Sequence, residues 1–173
     1  LVSAGYPEVK VVAVDKSKRA VENAAENVRL NNLEGVIECK VSDLFANVGK
    51  AKFDLITFFA PIPSYKSKRH DSRIEDYEGK TLRRFIRQAP GFLNPEGEIL
   101  ILYPDHYEKF LETLSRKNNF TLENIGPIHK YFSVFRLREI TIGDTQNEED
   151  KKGMEKEKNN EASSSAVDAL NYE

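Results

Sequence analysis

The sequence has few of the residues that would cross-link a chain or carry it through a bilayer. Among its 173 residues Cys39 is the only cysteine, so no disulfide can form within the chain. No apolar run approaches the roughly 20 residues that a transmembrane helix needs, and no signal segment opens the chain. The histidines at positions 70, 106 and 129 lack the spacing of metal ligands. We therefore expect a soluble, cytoplasmic domain without a metal site.

Charge is unevenly distributed along the chain, although the formal net charge is only -2. Residues 144–173 contain nine acidic and four basic residues and almost no large apolar side chains. Such a segment cannot bury enough surface to offset the entropy lost on ordering. We therefore predict a folded domain at 1–143, which is mildly basic, and a disordered acidic tail at 144–173.

Within the predicted domain, short apolar runs alternate with segments of helical periodicity. The apolar runs predict strands at 9–14, 36–41, 53–59 and 98–103, and their nearly continuous apolar character is typical of a parallel sheet. Helical spacing predicts helices at about 20–32, 79–89 and 105–114, which begin at Ser17, Gly79 and a capping box of Asp105 with Glu108. A polar loop is predicted at 66–76 and a turn at 94–97.

Two last strands are predicted at about 120–125 and 131–140. Only five residues join them, and a parallel crossover needs a dozen or more, so the two strands must be antiparallel. The sequence therefore predicts an α/β fold with a doubly wound, mostly parallel sheet that ends in an antiparallel hairpin.

Five sequence features, taken in order and spacing, resemble a known family. They are VVAVD at 11–15, a helix at 20–32 that ends in paired asparagines, SDLF at 42–45, FDLI at 53–56, and a helix that leads into a proline-glycine turn at 84–97. Together they resemble class I S-adenosylmethionine-dependent methyltransferases, above all the release-factor glutamine methyltransferase (HemK-like) and related small methyltransferase families. The resemblance spans residues 1–140 and implies a Rossmann-like methyltransferase fold.

The resemblance implies a site for S-adenosylmethionine at the ends of two predicted strands. Open parallel sheets bind ligands at the carboxyl ends of their strands. By resemblance, Asp15 accepts hydrogen bonds from the ribose hydroxyls, Asp43 contacts the adenine amino group and the Leu44 backbone meets the ring edge; Lys16 completes the candidate cofactor site. Two structural alternatives remain open, because Asp15 would also stabilise a helix N-terminus and Asp43 would also form an Asx-turn.

The candidate substrate site follows the predicted strand at 53–59. There the related enzymes carry Asn or Asp, then Pro, Pro and an aromatic residue, and these positions fall on Phe59, Ala60, Pro61 and Ile62. Only Pro61 matches, and phenylalanine cannot accept the hydrogen bond that would orient an acceptor amide, although the Ala60 carbonyl could. With Tyr65 these are the candidate substrate-binding residues; no catalytic residue is assigned.

Two groups of basic residues have weaker implications. The loop from Lys66 to Arg73 would contact an anionic acceptor or form a solvated surface. The arginines at 83, 84 and 87 lie opposite the apolar face of their predicted helix, and we interpret them as solvated surface.

The family's first strand and its glycine-rich loop are not found in this sequence. In the family's sheet that strand lies between those predicted at 9–14 and 53–59, which would otherwise expose long hydrophobic edges. We therefore interpret the chain as an N-terminally truncated domain.

Three functions remain open. The first is an S-adenosylmethionine-dependent methyltransferase, active in its complete form, that N-methylates a protein side chain or a nucleic-acid base. The second is a catalytically inactive methyltransferase-like binding module, which Phe59 and the missing loop favour. The third is a nicotinamide-dependent oxidoreductase, because an acidic residue at a strand end also suits a dinucleotide ribose. The SDLF motif and the hairpin favour the first function over the third.

The expected partner is a protein or nucleic-acid methyl acceptor rather than a membrane, and the oligomeric state is not indicated.

Overall fold

The computed structural model describes residues 9–64 and 75–140. Tyr65, the whole of the predicted basic loop from Lys66 to Arg73, and the predicted acidic tail lie outside these ranges. The strands are β1 (Val11–Asp15), β2 (Ile37–Val41), β3 (Phe53–Phe59), β4 (Ile62–Ser64), β5 (Glu75–Tyr77), β6 (Leu93–Pro104), β7 (Phe120–His129) and β8 (Phe132–Glu139). The helices are α1 (Lys18–Leu30), α2 (Lys80–Gln88) and α3 (Glu108–Arg116), with short 3₁₀ helices at Ala89–Phe92 and Asp105–Tyr107. The predicted α/β fold class is confirmed.

The strands form three hydrogen-bonded groups. The largest is a mixed sheet in the order β3-β6-β8-β7, in which β6 runs parallel to β3 and antiparallel to β8, and β7 pairs antiparallel with β8. The predicted closing hairpin is therefore confirmed. Strands β1 and β2 form a separate parallel pair, and β4 pairs in parallel with β5. The sequence analysis missed β4 and β5 because three residues are too few for a periodic pattern.

No strand in the described ranges lies between β1 and β3. The two strands belong to different sheets, and each carries exposed apolar side chains. Leu55 and Phe59 on β3 are 48% and 69% exposed, and Val11 and Val14 on β1 are 36% and 40% exposed. The open edges and apolar surface expected from the sequence are therefore present at this position.

One local prediction is confirmed and another needs correction. The turn predicted at 94–97 lies inside β6: these four residues loop out between Leu93, which pairs with Phe53, and Glu98, which pairs with Leu55, and Glu96 has a φ of 63°. Gly97 suits this turn, since a Cβ there would come within 2.9 Å of the Phe53 carbonyl oxygen. The capping box of Asp105 with Glu108 is absent: a 3₁₀ turn separates Asp105 from α3, so Glu108 is the first residue of that helix.

The main core lies between the four-stranded sheet and helices α2 and α3. Their buried side chains share one face of each element, as the helical spacing predicted for α2. They are Leu82, Phe85, Ile86, Leu111 and Leu114 from the helices, and Ile99, Ile101, Tyr103, Phe135 and Leu137 from the sheet. Pro90 follows α2 in a 3₁₀ turn, so α2 ends where the sequence predicted.

A stack of phenylalanine rings attaches the β1–β2 pair to this core. Phe45, in the turn after β2, stacks on Phe92 with ring centroids 4.4 Å apart and on Phe85 of α2 at 5.5 Å. Phe85 stacks in turn on Phe58 of β3 at 4.1 Å. Val12 of β1 also packs against the core. Among residues 9–64 and 75–140 the two sheets are thus joined by side-chain packing, and no backbone hydrogen bond links them there.

We expect Phe45→Ala to lower the free energy of unfolding by about 3 kcal/mol, because it removes a buried ring from two stacking partners. Urea unfolding followed by far-ultraviolet circular dichroism measures this loss. The matched control is Phe59→Ala, which removes a ring that is 69% exposed and should cost less than about 1 kcal/mol. Equal losses for the two variants would contradict the role given to the stack.

Backbone amides on the open edge of β1 should exchange with solvent faster than those facing β2. The Val11 amide donates to the Val36 carbonyl on the β2 side, so alternation along the strand turns the amides of Val12 and Val14 to the open edge. We expect these two to exchange at least ~10-fold faster than Ala13 in hydrogen-exchange NMR. Equal protection would show that another strand, such as one from a second copy of the chain, pairs with this edge.

Candidate functional site

The candidate cofactor residues lie at one edge of the β1–β2 pair. Asp15 pairs with Val41 in the parallel register, and the Ser42 amide donates to the Asp15 carbonyl at 2.9 Å. Asp15 is the last residue of β1, and Asp43 follows the end of β2 by two residues. The structure therefore places both aspartates at the carboxyl edge of adjacent parallel strands.

Asp15 forms part of the turn from β1 into α1. Its Oδ1 accepts a hydrogen bond from the Ser17 amide at 2.7 Å, and Ser17 caps α1 by accepting from the Ala20 amide at 3.3 Å. Asp15 and Lys16 are both exposed. One carboxylate oxygen of Asp15 thus fixes this turn. The contact lies ahead of Ser17, the N-cap of α1, so Asp15 is not part of the first turn of the helix as the structural alternative supposed. The side chain still presents its charge to solvent, where it can accept further hydrogen bonds.

A tightly bonded turn presents Asp43 and Leu44. The buried Ser42 hydroxyl donates to the Leu44 carbonyl at 2.7 Å and accepts from the Asn47 amide at 2.9 Å. The Asn47 side chain donates to the Val41 carbonyl at 2.7 Å. Leu44 has a φ of 54°, a left-handed conformation that non-glycine residues rarely adopt. No acceptor in the described ranges binds the Leu44 amide.

Helix α2 contributes Arg84, which the sequence analysis did not connect with the candidate site. The guanidinium of Arg84 donates to Oδ2 of Asp43 at 2.8 Å, and both side chains are about half exposed. Arg84 therefore lies at the solvated surface, as interpreted from the sequence, and forms an ion pair there. Arg83 also has a partner, since its guanidinium lies 4.8 Å from the centre of the Phe110 ring. Arg84 and Asp43 are 41 residues apart, and no local pattern could have paired them.

The candidate substrate residues lie at the carboxyl end of β3. Phe59 pairs with Leu102 of β6, and its ring meets that of Phe132 edge-on with centroids 6.4 Å apart. Ala60 is buried and Pro61 is half-buried, whereas Ile62 begins β4 and is exposed. These four residues therefore stay together at one edge of the large sheet; Tyr65 is outside the described ranges.

The described residues contain neither a metal-binding cluster nor a helix that could span a membrane. No group of three or more His, Cys, Asp or Glu side chains there could hold a metal ion. No helix in 9–64 or 75–140 is long and apolar enough to cross a membrane.

Comparison with known proteins identifies the class to which this fold and these strand-end aspartates belong. A family model described as the methyltransferase small domain matches residues 1–124. The chain therefore belongs to the methyltransferase small domain family, and the oxidoreductase alternative is not retained.

One curated relative agrees with this assignment. The chain is 38% identical over 100 residues to a putative protein N5-glutamine methyltransferase of Methanocaldococcus jannaschii, a match that covers 54% of this chain and 49% of the relative. It thus spans about half the length of that relative.

Two solved structures share the fold. A ribosomal protein L11 methylase of Lactobacillus delbrueckii superposes with a TM-score of 0.58 and 21% identity over 76% of this chain and 58% of the other. A T. thermophilus 16S rRNA N2 G1207 methyltransferase, solved with S-adenosylmethionine and guanosine, gives a TM-score of 0.55 and 18% identity over 76% of this chain and 32% of the other. At these identities the two superpositions establish the fold alone.

We expect the Arg84–Asp43 ion pair to contribute less than about 1 kcal/mol to stability, because both side chains are half exposed and solvent screens their charges. A double-mutant cycle of Arg84→Gln and Asp43→Asn, measured by urea unfolding, gives this coupling energy. The coupling should disappear in about 1 M salt. A coupling of several kcal/mol would contradict this prediction and make the pair a principal connection between the two sheets.

Proposed function

We propose that this chain is the adenosine-binding part of an S-adenosylmethionine-dependent methyltransferase that N-methylates a protein side chain or a nucleic-acid base. The observation that carries the proposal is the placement of Asp15 and Asp43 at the carboxyl edge of adjacent parallel strands. Ligands of open α/β sheets bind at such edges. Membership of the methyltransferase small domain family supports the same reading.

The hydrogen-bonding groups at this edge fit the adenosine half of the cofactor. Asp15 would accept hydrogen bonds from the ribose hydroxyls, with Lys16 beside it. Asp43 would accept from the adenine amino group through the oxygen that Arg84 does not engage, and the Leu44 amide would donate to a ring nitrogen. When bound, S-adenosylmethionine supplies an electrophilic methyl group.

The acceptor would approach the end of β3. There the Ala60 carbonyl would accept a hydrogen bond from the acceptor nitrogen and so orient its lone pair. Because Ala60 is only 1% exposed, the residues beside it would have to move aside for this contact to form. Pro61 would restrict the backbone, while Phe59, Ile62 and Tyr65 would line the approach. The M. jannaschii relative is named as a putative protein N5-glutamine methyltransferase, which supports a protein acceptor. The T. thermophilus rRNA methyltransferase shares the fold, which is compatible with a nucleic-acid acceptor. We propose the domain division that the sequence predicts, with the domain at 1–143 and an acidic segment at 144–173.

A catalytically inactive binding module is the second candidate. Phe59 favours it, because this exposed ring occupies the position at which related enzymes carry a hydrogen-bonding side chain. Both candidates bind adenosine, and they differ in whether a methyl group is transferred to an acceptor.

We expect adenosine and S-adenosylmethionine to shift the amide NMR signals of Lys16 and Leu44. The dissociation constant should be in the millimolar range, because the proposed contacts involve only the adenosine half of the cofactor. This corresponds to a binding free energy of about -4 kcal/mol. Asp15→Asn and Asp43→Asn should weaken the shifts.

The matched control is Asp54→Asn. Asp54 lies near the amino end of β3, away from the carboxyl ends where ligands are proposed to bind, and accepts a hydrogen bond from Asn94 at 2.8 Å. Its replacement should therefore leave the titration unchanged. Inosine lacks the amino group that Asp43 is proposed to bind, so Asp43→Asn should weaken the binding of inosine less than that of adenosine. If adenosine produced no shifts at this edge at millimolar concentration, the proposed function would be wrong.

A further inference from the structure

The turn between β7 and β8 carries exposed apolar and basic side chains that the adenosine site does not use. We define the hairpin tip as residues 128–132, which read Ile-His-Lys-Tyr-Phe. Ile128 is 67% exposed and Tyr131 is 57% exposed. No acidic residue occurs from 125 to 134, so the charge of the hairpin tip is entirely positive.

The hairpin tip lies at the edge of the sheet where the acceptor is proposed to react. Phe132 pairs with Pro104 at the end of β6, and the Tyr131 carbonyl accepts a hydrogen bond from the Asp105 amide at 3.1 Å. The Phe132 ring also contacts Phe59, the last residue of β3. The antiparallel return of β8 therefore brings the hairpin tip beside Phe59 and Ala60.

Aromatic and cationic groups are interleaved at the hairpin tip. The Lys130 ammonium lies 5.3 Å from the centre of the Tyr131 ring, and the His129 ring lies 6.3 Å from it. Exposed aromatic rings stack on unpaired bases of any sequence, and neighbouring cations bind the phosphates. Asp105 bonds to the hairpin tip through its backbone amide, but the hairpin tip itself carries only aromatic, apolar and basic side chains. This combination suits unpaired bases and their phosphates better than a neutral polypeptide side chain.

We propose that the hairpin tip, together with Phe59, docks a single-stranded RNA segment and guides its acceptor base to the end of β3. Tyr131 stacks on an unpaired base, and Lys130 contacts a phosphate. This inference rests on the proposed function, because it names the acceptor class of the same site.

Fluorescence anisotropy with a fluorescein-labelled, unstructured 10-nucleotide RNA and the full 173-residue chain tests the proposal. Tyr131→Ala should weaken binding at least ~5-fold, because it removes the stacking ring. Tyr131→Phe keeps the ring and should bind like wild type. Lys130→Ala should weaken binding and lower the slope of log affinity against log salt by about 0.7, the value for one phosphate on a single strand.

The matched control is Lys117→Ala, an exposed lysine just after α3 and near the start of β7, at the opposite end of that strand from the hairpin tip. It should leave affinity and salt slope unchanged. Because Tyr131 and Lys117 are exposed, all variants should retain the wild-type melting temperature.

Three outcomes would overturn the proposal: no RNA binding, RNA binding that is insensitive to Tyr131→Ala and Lys130→Ala, or a glutamine-containing peptide that binds the hairpin tip more tightly than RNA. The adenosine titration keeps this test separate from the proposed function. Normal shifts at Lys16 and Leu44 with failed RNA binding would reject the hairpin tip alone, whereas absent shifts would reject the proposed function itself.

Discussion

The stacked rings of Phe92, Phe45, Phe85 and Phe58 are the packing interaction on which the rest of the structure depends. The β1–β2 pair has no strand partner in the larger sheet within the described ranges, so its position relative to that sheet depends on side-chain packing. Phe45 belongs to the turn that presents Asp43 and Leu44. The contact that joins the two sheets therefore also positions the proposed adenine-binding residues.

Helix α2 connects fold and site through two neighbouring residues. Phe85 packs into the aromatic stack, and Arg84 donates to the carboxylate of Asp43. The two contacts differ in physical character. The stack stabilises the fold more than the ion pair does, because its rings are largely buried. The half-exposed ion pair orients one carboxylate oxygen of Asp43 and adds little stability. A substitution at Arg84 would therefore alter the proposed site while leaving the fold nearly unchanged.

Adenosine binding and acceptor binding are proposed at the carboxyl edges of different strands. The β1–β2 edge carries the aspartates proposed to bind adenosine, and the edge of β3 and β6 carries Phe59, Ala60 and the adjoining hairpin tip. The second group is assembled by the antiparallel return of β8, which brings Phe132 against Phe59. Phe59 consequently gains a structural partner at the position where related enzymes carry a hydrogen-bonding side chain. Because Phe59 replaces that hydrogen-bonding side chain, a catalytically inactive binding module is the second candidate function.

Local sequence patterns predicted most of the fold. Apolar runs and helical spacing predicted β1, β2, β3 and the core face of α2, because these signals depend on residues near one another in the sequence. The short connection predicted the closing hairpin, and acidic residues after two strands marked Asp15 and Asp43. Only the tertiary structure decided that Arg84 pairs with Asp43, that Phe45 joins the two sheets and that the hairpin tip meets Phe59. Each of these contacts joins residues 40 or more positions apart, and the folded chain brings them together through packing that no local pattern encodes.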